Sequence, residues 1–230
     1  MDQPACRWHY QVTMKSTLGL SVRLLAAGSA MFGTVSRIIL ASGDGRLLDI
    51  FGYFTIQSNL IVAVFLVFSL FGELGGRSGR QGEPRPQSTP RAHVTHGAAL
   101  LYILVTAIIY NVLLAGELSE PPFSALILMV NHTITPVLFL LDWVLNQKRV
   151  RYRPRIVWIW LVYPVVYALF ASFEGGQTGR FRYFFLDFAS VSLTQYAIQM
   201  GFVIAFFVVL ALIIVLVNRL LWRSGGESSF

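Results

Sequence analysis

Six long apolar runs alternate with short polar gaps along this chain. The runs cover about residues 20–42, 50–72, 95–115, 123–145, 156–173 and 196–222, each near the ~20 residues a helix needs to cross a bilayer. The pattern predicts an all-α, polytopic membrane protein with six transmembrane helices in one domain over residues 1–230, with no second domain and no internal repeat. The gap at about residues 74–93 is rich in Gly, Pro and Arg and reads as a flexible exposed loop. Polar residues break the apolar pattern in two places. FGYFTIQSNL, residues 51–60, carries Thr55, Gln57, Ser58 and Asn59, and VNHTITPVLFLLDW carries Asn131 and His132.

Composition agrees with the membrane reading: 55% of residues are apolar, 13% are charged and the mean hydropathy is +0.63, outside the soluble globular range. The net charge of +7 arises from bases in the short gaps, so it reads as topology and not as nucleic-acid binding. Bases gather in the amino-terminal tail (Arg7, Lys15), the second gap (Arg77, Arg80, Arg85, Arg91), the fourth (Lys148, Arg149, Arg151, Arg153, Arg155) and the carboxyl end (Arg219, Arg223). The third gap instead holds Glu117 and Glu120, while the first and fifth mix Arg46, Arg180 and Arg182 with Asp44, Asp49, Glu174 and Asp187. By the positive-inside rule both termini are expected in the cytoplasm of a cell-membrane protein, with Trp143, Trp158, Trp160 and Trp222 in an interfacial belt. The single cysteine, Cys6, leaves no intrachain disulfide, and no cleavable signal is expected before the first run.

This topology sets depths. With the second run entering near Phe51, Thr55 is expected ~6 Å inside and His132 ~12 Å inside from the same face. Ser58 and Asn59 follow Thr55 at i+3 and i+4 and form a polar stripe with it, while Gln57 points elsewhere. Ser, Thr and Asn often only join membrane helices, but a buried ionisable group such as His132 points to function. A histidine can take a hydroxyl's proton and hand it to a leaving alkoxide, so Thr55 and His132 read as nucleophile and general base. Asn59, Asn111 and Asn131 can orient the imidazole or donate to an oxyanion. Asp187 is the expected third member if its loop folds inward, and Asp142 is expected as a helix-end charge. Arg37 either pairs with a substrate carboxylate or snorkels to the interface. Ser29 and Gly33 form a small-xxx-small pair that predicts close helix contact. No metal site is expected, because His9, His93 and His96 belong to the opposite side from His132; His93 and His96 read as solvated helix-end residues. Asn131-His132-Thr133 matches a glycosylation pattern, but within a span it accepts no glycan.

Three short motifs carry a family resemblance. Tyr53-Phe54-Thr55, the NHTITP of Asn131 to Pro136, and the YFFLDF of Tyr183 to Phe188 resemble the six-span family of the androgen-induced protein and the androgen-dependent TFPI-regulating protein, and more closely its bacterial branch. The resemblance implies hydrolysis of fatty acid esters of hydroxy fatty acids by an intramembrane threonine and histidine, here Thr55 and His132, with a lipid or fatty acyl ester as substrate partner and no cofactor. The chain departs from the family pattern in having one histidine where the eukaryotic motif has two, and Phe184 or Phe185 where a proline is usual. Two other classes stay open: a proton-linked transporter or channel lined by Thr55, Asn59 and His132, and a non-catalytic scaffold. The oligomeric state is not read from the sequence.

Overall fold

The computed structural model describes residues 4–78, 90–114, 121–146 and 151–224, with side chains over 17–73, 92–113, 121–146 and 151–222. The expected roles of Cys6, His9, Arg7, Lys15, Arg77, Arg80, Arg85, Arg91, Glu117, Glu120, Lys148, Arg149 and Arg223, and most of the gap at 74–93, lie outside those side chains. The described residues are helical, without a strand. Helix α1 spans Pro4–Gly43 and α2 Leu47–Ile50; α3 spans Phe54–Ser78; α4 spans Pro90–Ile109 and continues as a π-helical turn, Tyr110–Leu114. Helix α5 (Pro122–Met129), a second π turn (Val130–Ile134) and α6 (Thr135–Asn146) form one continuous rod. Helices α7 (Ile156–Thr178) and α8 (Leu193–Ser224) follow, joined through a short 3₁₀ turn, Phe184–Leu186.

Six of these stretches are long and apolar enough to cross a membrane: Thr17–Gly43, Phe54–Glu73, Ala92–Leu113, Pro122–Asn146, Ile156–Thr178 and Leu193–Trp222. The six-span, all-α, multi-pass reading therefore holds. One boundary matters for the chemistry. The second span starts at Phe54 and not at 50, because residues 47–53 form α2 and a turn. Thr55 therefore lies in the first turn of its helix, one residue from its start.

Long-range contacts establish the alternation of the spans. At one end Arg23 of α1 meets Glu73 of α3 and Asp142 of α6, and His96 of α4 meets Asp142. Asn218 of α8 caps the Tyr152 amide at 2.8 Å at that same end. At the other end Arg182, between α7 and α8, reaches Asp49 of α2. Both described terminal helices thus open onto one end of the bundle.

The core runs through all six spans, with Leu66, Leu100, Ile103, Phe139 and Ala211 at 0% exposure. The outer faces are apolar and exposed, as at Phe68, Leu169 and Phe202, the surface a lipid-facing bundle presents. Ser29 and Gly33 do bring α1 close to the α5–α6 rod. Thr135 Oγ1 donates to Ser29 Oγ at 3.1 Å and Asn131 Nδ2 to the Gly33 carbonyl at 3.2 Å; a methyl on Gly33 would collide with Asn131 Oδ1. Two of the four tryptophans depart from the interfacial belt. Trp158 and Trp222 are exposed, but Trp143 and Trp160 are 1% exposed core residues whose indoles donate to Tyr152 Oη at 3.4 Å and to the Val94 carbonyl at 3.1 Å.

Candidate functional site

The site begins with a backbone defect. Pro136 has no N–H, so the His132 carbonyl four residues earlier has no helical donor. The Thr135 amide bonds Val130 in π register, which takes it from the Asn131 carbonyl as well. Two adjacent carbonyls inside an apolar bundle are thereby freed, a condition that must be repaired where water is excluded. Asparagines from the flanking spans repair it: Asn59 Nδ2 donates to the Asn131 carbonyl at 3.2 Å, and Asn111 Nδ2 donates to the His132 carbonyl at 3.0 Å. Asn59 Nδ2 also donates to the Thr55 carbonyl at 2.9 Å. One amide thus ties the turn carrying Thr55 to the turn carrying His132.

The expectation that these asparagines orient the imidazole or serve an oxyanion therefore needs correction. Both amide hydrogens of Asn59 are taken up, those of Asn111 go to Ala107 and His132 carbonyls, and Asn131 serves Gly33. They hold the main chain around the histidine. The group that orients the ring is the Leu128 carbonyl, 2.8 Å from His132 Nδ1. Since a carbonyl only accepts, Nδ1 carries the proton, and the neutral ring keeps its lone pair on Nε2. Tyr110, in the facing π turn, stacks on the imidazole with ring centroids 3.8 Å apart.

Thr55 and His132, from different spans, line the same narrow cavity of about 60 Å³. Its walls are otherwise mostly apolar, including Val105, Ile109, Pro164, Val203 and Phe207. Ser58 turns away from the cavity: it is fully buried, donates to the Thr55 carbonyl at 3.0 Å and sits 2.8 Å from Thr106 Oγ1. Gln57 points elsewhere, as expected, to the Phe51 carbonyl and Tyr163.

The segment between α7 and α8 folds inward over the cavity, as the sequence reading required, but it delivers a different residue. Asp187 does not approach His132. Its carboxylate accepts from the Ala189 and Ser190 amides at 2.9 and 3.1 Å and from the Ser190 hydroxyl, closing its own turn; these bonds, the Ser190 hydroxyl foremost, hold its pKa below the ordinary carboxylate value. Instead Tyr183 and buried Leu186 line the cavity, where Tyr183 lies among Thr55 and Tyr167. The segment is held down by Arg182, which donates to Glu174 at 2.6 and 2.5 Å and to the Asp49 carbonyl at 2.8 Å. Its guanidinium packs so tightly under the turn at 51–53 that only a glycine fits at position 52.

No family model, curated protein or solved structure matches the chain.

Arg37 does not line the cavity; it is half-buried, and its charge is close enough to act on His132. A second polar centre, which sequence reasoning missed, lies toward the termini. Asp142 is 0% exposed, not a helix-end charge, and His96 and His93 are 3% and 7% exposed, not solvated. Arg23 Nε donates to Asp142 Oδ1 at 2.9 Å and Arg23 Nη1 to Glu73 at 2.8 Å, while Asn146 Nδ2 donates to Asp142 at 2.7 Å. His96 Nε2 lies 3.1 Å from Asp142 Oδ2, near enough for pairing but off the line of a good hydrogen bond. The signal was present, since Arg23, His96 and Asp142 each fall inside an apolar run, where ionisable residues seek one another. No three His, Cys, Asp or Glu side chains among the described residues converge as metal ligands.

Proposed function

We propose that the protein is a hydrolase of lipid esters, resident in the cell membrane with its termini in the cytoplasm, in which Thr55 is the nucleophile and His132 the base and then the acid. The observation that carries the reading is the shared cavity of Thr55 and His132, with the ring held through Nδ1 so that Nε2 is the basic nitrogen. In the first step Nε2 takes the Thr55 proton as Oγ1 bonds the ester carbon. The tetrahedral adduct then collapses, the carbon–alkoxide bond breaks, and the alkoxide leaves with the proton from His132. Water, activated by the same nitrogen, attacks the acyl-threonine and releases the acid. No cofactor enters the scheme.

The motifs around Thr55, His132 and Tyr183 resemble those of proteins acting on fatty acid esters of hydroxy fatty acids, and the apolar walls suit such an acyl chain. At about 60 Å³ the cavity holds about two waters, so the 181–188 segment must move for a lipid to enter. A fluorophosphonate probe tests the reading. The purified protein is expected to be labelled, and labelling to vanish in Thr55→Ala; a well-folded wild type that is neither labelled nor active on any of a panel of lipid esters would refute it.

A second reading, proton-linked transport, is favoured by the buried Arg23–Asp142–His96 group, because it adds a second intramembrane histidine to His132. Against it, Val62, Leu66, Leu100, Ile103 and Phe139, all fully buried, lie along the helices between the two polar centres. Flux in proteoliposomes that depends on Asp142 would favour transport over hydrolysis.

A further inference from the structure

An acyl-transfer centre needs a donor for the carbonyl oxygen as it becomes an alkoxide, and such a donor is worth about 10²–10³ in kcat. The sequence nominated three asparagines for that task, and their amide groups donate to main-chain carbonyls instead. The cavity hydroxyls of Tyr167 and Thr106 are also committed, and the Tyr110 ring lies flat on the His132 imidazole. Tyr167 donates to the Gly52 carbonyl at 2.9 Å and accepts from the Phe54 amide at 3.1 Å. Ser58 donates to the Thr55 carbonyl, so the 2.8 Å contact with Thr106 is served by the Thr106 proton.

Tyr183 differs. Its ring is fixed between Tyr53, edge-on at 6.2 Å, and Phe185, stacked at 5.2 Å, and it lines the same cavity as Thr55, His132 and Phe54 at the start of α3. The amides of a first helical turn have no partner within the helix. Tyr183 thus covers the spot where the start of a helix, a nucleophilic hydroxyl and a phenol converge. Burial pushes the phenol above its ordinary pKa, so it stays a donor.

The geometry points to Tyr183 as a further catalytic residue, whose O–H, together with the Thr55 amide, donates to the oxyanion formed when Thr55 attacks an ester. This rests on the ester-hydrolase reading. Tyr183 and Thr55 line one narrow cavity; when Thr55 Oγ1 bonds the ester carbon, the former carbonyl oxygen is attached to that same carbon and stays within the space that Tyr183 borders. The placement also explains why the inward segment carries Tyr183 over the cavity and leaves Asp187 to brace its turn.

The experiment compares purified wild type, Thr55→Ala and Tyr183→Phe on a fluorogenic fatty acyl ester, with an alkyl boronic acid as tetrahedral mimic and a free fatty acid as product ligand. Tyr183→Phe keeps both ring contacts and is expected to fold. It should lower kcat by about 10²–10³ with little change in KM, and weaken the boronic acid by a similar factor while leaving fatty acid binding unchanged. A merely structural role would weaken both ligands together. In a second variant, 3,5-difluorotyrosine at 183, the more acidic phenol should add an alkaline limb to the pH–rate profile that wild type lacks. Thr55-dependent turnover with wild-type kcat in Tyr183→Phe, or equal boronic acid binding, overturns the role of Tyr183 alone. Wild-type turnover that survives Thr55→Ala overturns the underlying reading, and this inference with it.

Discussion

Asn59→Leu isolates the link between the two catalytic turns. Asn59 is fully buried and its amide joins the Thr55 carbonyl at 2.9 Å to the Asn131 carbonyl at 3.2 Å. Leucine has similar volume and no donor. The Thr55 carbonyl keeps Ser58, but the Asn131 carbonyl is orphaned, since the Thr135 amide is already on Val130. A buried acceptor left bare costs about 1–3 kcal/mol in soluble proteins, and hydrogen bonds between membrane helices average ~0.6 kcal/mol. Leucine also removes Asn59 Oδ1, itself buried without a donor, which offsets part of the loss. The expected cost is about 1 kcal/mol, near fivefold in the folding equilibrium. Asn59→Asp should be worse, because it sets carboxylate oxygens against two carbonyls. Turnover should fall further than stability, by about 10²-fold, if the two turns separate by ~1 Å. Unfolding in mixed micelles followed by tryptophan fluorescence, beside hydrolysis of a fluorogenic ester, gives both numbers. Wild-type turnover in a measurably destabilised Asn59→Leu would refute the idea that this amide sets the spacing.

Asp142→Ala leaves buried Arg23 with Glu73 alone and should cost somewhat less than the about 3–5 kcal/mol of a fully unpaired buried charge, whereas Asp142→Leu combined with Arg23→Met should recover most of it; equal losses in the same unfolding assay would contradict the pairing. Pro136→Ala restores an amide for the His132 carbonyl in competition with Asn111, so turnover should drop while stability holds or rises slightly, and unchanged turnover would show that the π turn does not position the ring. The Asp187 brace is pH-sensitive: its folded pKa is depressed, so its contribution is complete above the unfolded value and lost as pH falls through the lower folded one. Amide exchange at Ala189 and Ser190 should therefore stay slow at neutral pH and speed up only below the ordinary carboxylate range, with no such change in Asp187→Asn.

The spans were legible because lipid demands a continuous apolar run, and Thr55 and His132 stood out because each breaks one. What the sequence could not supply was the partner of each polar group. Asn111 and Asn59 looked like reagents, but their task follows from Pro136 and the π turn, which free carbonyls visible only once the backbone is traced. Asp187 stands out in the sequence because a carboxylate is a familiar partner of a histidine; the turn it closes with Ser190 shows that it is occupied locally. Asp142 and His96 were assigned to helix ends by counting residues from the gaps. A shift of a few residues, or a tilt, is enough to bury them, and at that depth Asp142 is the partner that both Arg23 and His96 need.

The two polar centres also explain each other's isolation. Each draws its partners from its own layer: the freed carbonyls take asparagine amides near His132, and Asp142 takes Arg23 and Asn146 with His96 alongside. Between them the helices present mostly packed hydrocarbon, Leu66 and Phe139 among it, and the polar side chains there, such as the Ser29–Thr135 pair, carry no charge, so a proton moving through would be stranded at high cost. That arrangement suits a reaction centre opening to one side and anchored from the other. It makes a separable demand: neutralising the Arg23–Asp142 pair with leucine-sized side chains should leave Thr55-dependent turnover nearly intact. A complete loss of turnover in a stable Arg23→Met, Asp142→Leu protein would mean that the two layers communicate, and would move the weight of argument to proton-linked transport.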